Sequence, residues 1–105
     1  MIIASEAAPV SDDWLFADPQ HLAVITLESI LREGDPILHV VHDADDGGWQ
    51  FLGWGDVRDG DGVVVALATA VRLDPTLQQL AHLPPGWHAW RRSTDQPWIR
   101  APLPD

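Results

Sequence analysis

A chain of 105 residues without cysteine fits one domain that buries roughly two-thirds of its unfolded surface unaided, and it excludes disulfides and thiolate metal sites. Its 16 Asp and Glu against 6 basic residues, all of them Arg, give a net charge of −10, which argues against binding nucleic acid phosphates and favours either simple solubility or a basic partner. No stretch approaches the roughly 18 apolar residues of a membrane span, and residues 1–6 lack the basic region and apolar length of a signal peptide, so the sequence predicts a cytoplasmic, bacterial-type protein with neither membrane nor nucleic acid among its partners.

In chain order, residues 1–13 read as a loose lead-in, Trp14-Leu15-Phe16 as an apolar plug, and Asp18-Pro19 as a turn. His21-Leu22-Ala23-Val24-Ile25-Thr26 is apolar and β-branched, a first strand. Leu27, Ile30 and Leu31 then have helical spacing, with Thr26 as a cap and Gly34 as a left-handed stop; a single helix over 22–33 is the alternative. Residues 37–42 are apolar on both alternating faces apart from the histidines, which predicts a central strand covered on two sides. Residues 43–48 form a turn, with Gly47-Gly48 supplying positive φ. The return strand runs over 49–54, placing Trp49 and Phe51 on one face and Leu52 and Trp54 on the other.

A polar loop carrying Asp56, Asp59 and Asp61 precedes a strand over 63–67 and a helical turn near 68–71. Asp74 suits a helix N-cap and Pro75 the first helical position, and Leu77, Leu80 and Ala81 share one apolar side. Pro84-Pro85-Gly86 ends that helix. Residues 87–92 read as a strand, 93–96 as a turn, 97–100 as its return, and 101–105 as a frayed tail. The sum is a single small α+β domain, a mostly antiparallel curved sheet of about five strands with two short helices on one face.

Chemistry concentrates at the turn. His39, His42, Asp43, Asp45 and Asp46 carry good ligands for zinc, manganese or iron. Yet His39 and His42 stand three apart on a strand and point to opposite faces, so a small metal-dependent hydrolase would rest on His42, Asp43 and Asp46. The aspartates also fit a calcium loop, but without its closing glutamate, and aspartates beside glycines are common turn formers. No serine sits in a nucleophile elbow and no glycine-rich phosphate loop is present; no cofactor is expected. Arg91-Arg92 is expected to pair with nearby acids.

The binding reading takes Asp43, Asp45, Asp46, Asp56, Asp59 and Asp61 as an acidic rim beside Trp49 and Trp54, aromatic anchors within a charged border. The alternative is that Trp49 and Phe51 fill the core. A third reading is an adaptor that forms a homodimer through its tryptophan surface.

The run Asp46-Gly47-Gly48-Trp49-Gln50-Phe51, then Val65-Ala66-Leu67, Leu73-Asp74-Pro75-Thr76-Leu77, Leu83-Pro84-Pro85-Gly86 and Arg91, resembles a small bacterial domain of uncharacterised function that is similar to immunity proteins encoded beside secreted toxins. The resemblance covers roughly residues 37–100. It departs where Gln50 stands in place of an arginine and where Gly48 shifts the Ser-Gly phasing. It implies a non-enzymatic protein that binds and blocks a toxin from a neighbouring gene, for which the acidic composition fits a basic target.

Overall fold

A computed structural model of the protein describes residues 14–53 and 61–104. The elements run β1 (Ala23–Leu27), α1 (Glu28–Glu33), β2 (His39–His42), β3 (Trp49–Leu52), β4 (Gly62–Ala66), α2 (Leu67–Leu73), a 3-10 helix (Pro75–Leu80), β5 (Trp87–Trp90) and β6 (Ile99–Pro102). One six-stranded sheet has the order β4-β1-β3-β2-β5-β6. Every neighbouring pair is antiparallel except β1 with β3. The α+β class is as the sequence predicts, with six strands where about five are expected, and the helical turn expected near 68–71 is α2. The return strand expected over 97–100 is β6, shifted to Ile99–Pro102 into the predicted tail; Pro102 is tolerated because β6 is an edge strand.

One face of the sheet carries the core. Val24 and Thr26 of β1, Val40 and His42 of β2, Trp49 and Phe51 of β3 and Ala89 of β5 are all buried at alternate positions. Against them pack Ile30 of α1, Leu67, Ala70 and Val71 of α2, and Leu77 and Leu80 of the 3-10 helix. The α2 residues recur at the spacing that lines one side of an α-helix. Leu77 and Leu80 stand three apart, and a 3-10 helix brings such residues onto the same side, so both are fully buried. The plug closes one end of this layer. Phe16 is buried with its ring edge-on to Trp49, and Trp14 packs against the cluster.

Two local predictions change. Thr26 does not cap α1: its hydroxyl donates to the carbonyl of Phe51 at 2.8 Å, inside the core, and the N-cap is Leu27, which makes no side-chain cap. The segment after Asp74 is 3-10 rather than α. Asp74 does cap it, accepting from the Thr76 N–H at 3.0 Å, and Gly34 does end α1 with φ of 76°.

Arg91 pairs with an acid as expected, and it does so inside the fold. It is 2% exposed, directly after β5. Its guanidinium donates to the Ile37 carbonyl through Nε (3.2 Å) and Nη2 (2.9 Å), to Thr76 Oγ1 (3.1 Å) and the Thr94 carbonyl (3.4 Å) through Nη1, and to the Asp74 carboxylate through Nη2. All five N–H donors of the side chain are therefore met. The Trp98 ring lies 4.1 Å beneath it. Its acid is Asp74, and Arg100 donates to the Gln79 carbonyl at 2.8 Å.

Candidate functional site

The β2–β3 turn is built by its own aspartates. Asp43 Oδ1 accepts the Asp45 N–H at 2.7 Å and Asp46 Oδ1 accepts the Gly48 N–H at 2.8 Å. Between them Gly47 takes φ of 72°, the left-handed conformation that turns the chain; Gly48 does not share it. Asp45 and Asp46 are exposed and Asp43 is half-buried. The sequence thus places three carboxylates together on one turn, and two of them also hold its backbone.

Below the turn, His42 is stacked on Trp49 at 3.8 Å between ring centroids. Its Nδ1 faces the Leu83 carbonyl at 2.7 Å and its Nε2 the Gly47 carbonyl at 3.1 Å. Both ring nitrogens face backbone carbonyl oxygens, so neither is turned toward Asp43 or Asp46. Among the described residues no three His, Asp or Glu side chains are grouped to hold a metal. A cleft of about 550 Å³ lies beside this turn, lined in part by Asp18, His42, Asp46 and Trp49.

Trp49 is not a surface anchor. It is 2% exposed, its Nε1 donates to Asp18 Oδ2 at 2.9 Å, and Phe16, His42 and Phe51 surround its ring. The core position follows from the sheet: it pairs with His42, on the inward alternation. Trp54, Asp56 and Asp59 lie outside the described residues. Asp61 lies at the other end of the sheet from the turn, since Gly62 pairs with Leu27 while the turn joins His42 to Trp49. The acids within view do not form one rim. Asp43, Asp45 and Asp46 stand at one end of the sheet, and Asp61 and Asp95, in the loops before β4 and after β5, at the other.

Between those ends runs the second face of the sheet, on which no helix packs among the described residues. Its outward positions are Ala23 and Ile25 of β1, Val64 and Ala66 of β4, Gln50 and Leu52 of β3, His39 and Val41 of β2, His88 and Trp90 of β5, and Ile99 and Ala101 of β6, as the pairing requires. None is Asp, Glu, Lys or Arg. Val64 is 70% exposed, Ile99 52% and Ile25 43%. An antiparallel sheet with one solvated face ordinarily alternates apolar inward and polar outward; here the outward set is also apolar. On β2 the outward residues His39 and Val41 are half-buried, and among the described residues no helix covers them.

The polar groups on that surface are Gln50 and a histidine pair. His39 Nε2 and His88 Nδ1 are 3.0 Å apart, and Trp90 packs against His88 at 4.9 Å. Burial, and then the neighbouring His88, hold the His39 imidazole below its ordinary pKa. In the sequence His88 stands 49 residues from its partner His39. The signal that would have found it is the alignment of His39-Val40-Val41-His42 with Trp87-His88-Ala89-Trp90 as antiparallel partners.

Comparison of the chain with known protein families, with curated proteins and with solved structures finds no match. No helix among the described residues is long and apolar enough to cross a membrane.

Proposed function

We propose that this protein is a non-enzymatic binding domain that docks a basic protein on its open sheet face, in the way of a cytoplasmic immunity protein that blocks a toxin from the neighbouring gene. The observation that carries this reading is the charge-free, apolar outer face on a chain of net charge −10. An exposed apolar surface bordered by charge is what a protein interface uses: burial at the centre supplies affinity, and the charged border steers the encounter. With acids at both ends of the sheet, the complementary partner is basic. The resemblance of the turn, the Asp74-Pro75 segment and Arg91 to immunity-type domains supports the same class. Asp43, Asp45, Asp46 and Asp61 act as the acidic border, and Trp49 contributes by fixing the turn from inside.

A hydrolase built on His42, Asp43 and Asp46 has less to stand on, because the His42 nitrogens and one oxygen each of Asp43 and Asp46 are spent on the turn and on Leu83. A second copy of this chain is the other occupant the face could take. Titrating the purified product of the neighbouring gene into the protein at two salt concentrations separates these readings. The docking reading expects binding that weakens with salt, and an Asp45→Lys variant that associates more slowly with an unchanged melting temperature. A dimer in light scattering with no binding of the basic protein replaces the partner with a second copy.

A further inference from the structure

The geometry points to a transition-metal site on the outer sheet face, formed by His39 Nε2 and His88 Nδ1. The two residues lie on adjacent strands. His39 pairs with Trp90 and His88 with Val41, so the histidines are diagonal neighbours on one face. Their nitrogens stand 3.0 Å apart with ring planes 71° from each other. Zinc binds imidazole nitrogen at about 2.0–2.1 Å, and two ligands on one tetrahedral ion are then about 3.4 Å apart. The pair needs to open by about 0.4 Å, with each ring turning so that its lone pair aims at an ion beside the line between them. The strands already fix the backbones, and the Trp90 ring against His88 limits how that ring turns.

In the metal-free pair, one ring N–H donates to the lone pair of the other. On binding, the donor ring moves its proton to its far nitrogen and both rings turn, so that two lone pairs converge on an ion beside the line between the nitrogens. No net proton is released from two neutral rings. Among the described residues no Asp, Glu, Lys or Arg occupies an outward position of this face. Two neutral imidazoles suit zinc, nickel or copper and not magnesium or calcium. No third protein ligand stands with them among the described residues, so the remaining positions are open to water or to a side chain of whatever docks there. The site rests on the two histidines alone and stands or falls independently of the docking reading.

The test is a Zn²⁺ titration of the full chain, followed by calorimetry and by the imidazole ¹⁵N resonances of the five histidines. The expected result is one Zn²⁺ per chain, with the His39 and His88 resonances moving and those of His21, His42 and His82 staying. Either His39→Ala or His88→Ala then weakens binding by roughly tenfold or more, while His82→Ala leaves it unchanged. The proposal is overturned if wild-type protein shows no binding, if the zinc-shifted resonances belong to other histidines, or if both alanine variants bind as the wild type does. The resonance readout on the wild type decides the question even where a variant folds poorly.

Discussion

Arg91 and Asp74 form a buried ion pair that ties the end of β5 to the start of the 3-10 helix. Asp74 does two things at once: Oδ1 caps the helix through the Thr76 N–H and hydroxyl, and Oδ2 receives the guanidinium. Arg91 in turn reaches the Ile37 carbonyl ahead of β2. Three segments far apart in sequence therefore meet at one charge.

Breaking this pair from one side strands the other charge in the core. Arg91→Ala and Asp74→Ala should each lower unfolding free energy by about 3–5 kcal/mol, a large share of the 5–15 kcal/mol typical of a domain. The double variant should cost clearly less than the sum of the two. Urea unfolding with a double-mutant cycle measures this.

The tryptophans should differ in what they tolerate. The Trp98 Nε1–H is buried with no hydrogen-bond partner among the described residues, so Trp98→Phe removes an unmet donor while keeping a ring under Arg91. Its cost should stay below about 1 kcal/mol. Trp49→Phe loses the bond to Asp18 and part of the stack on His42, and should cost about 2–3 kcal/mol. Equal losses in thermal or urea unfolding would contradict the assignment.

Acid should weaken the fold through His39. Its folded-state pKa lies below the ordinary value of 6.5, so the unfolded chain takes up a proton that the folded protein resists. The sign follows: this contribution to stability is complete above about pH 6.5 and is lost as pH falls below it. No carboxylate occupies an outward sheet position to offset the charge. Unfolding free energy measured between pH 7.5 and 5.5 should fall more steeply for the wild type than for His39→Gln; parallel curves would show that His39 is not the group.

Much of the fold was legible because the local signals were strong. Asp74-Pro75, Gly34 and the Asp-Gly turn each announce themselves through caps and positive φ, and the alternation of Trp49 and Phe51 marks the inward face of β3. What the sequence hid was long-range. Nothing near Arg91 says that its acid is Asp74, because the pairing depends on how β5 meets the 3-10 helix. Likewise, the outward apolar set on β1, β4 and β6 reads in sequence as ordinary strand composition. Only the strand order reveals that it forms one surface and that His39 meets His88 on it. Trp49 was open to two readings, an anchor and a core residue, and the register of β2 with β3 decides for the core.

The central claim is that the outer face of the sheet is the docking surface. The most direct measurement is the affinity of an Ile25→Glu, Val64→Glu double variant for the purified neighbouring-gene product, beside its unfolding curve. Both side chains are exposed, so stability should stay within about 1 kcal/mol of the wild type. The account predicts that binding falls by roughly a hundredfold or more, since two carboxylates would be placed on the apolar surface that the partner buries. Unchanged affinity in a normally folded variant would contradict it and move the binding site off the sheet.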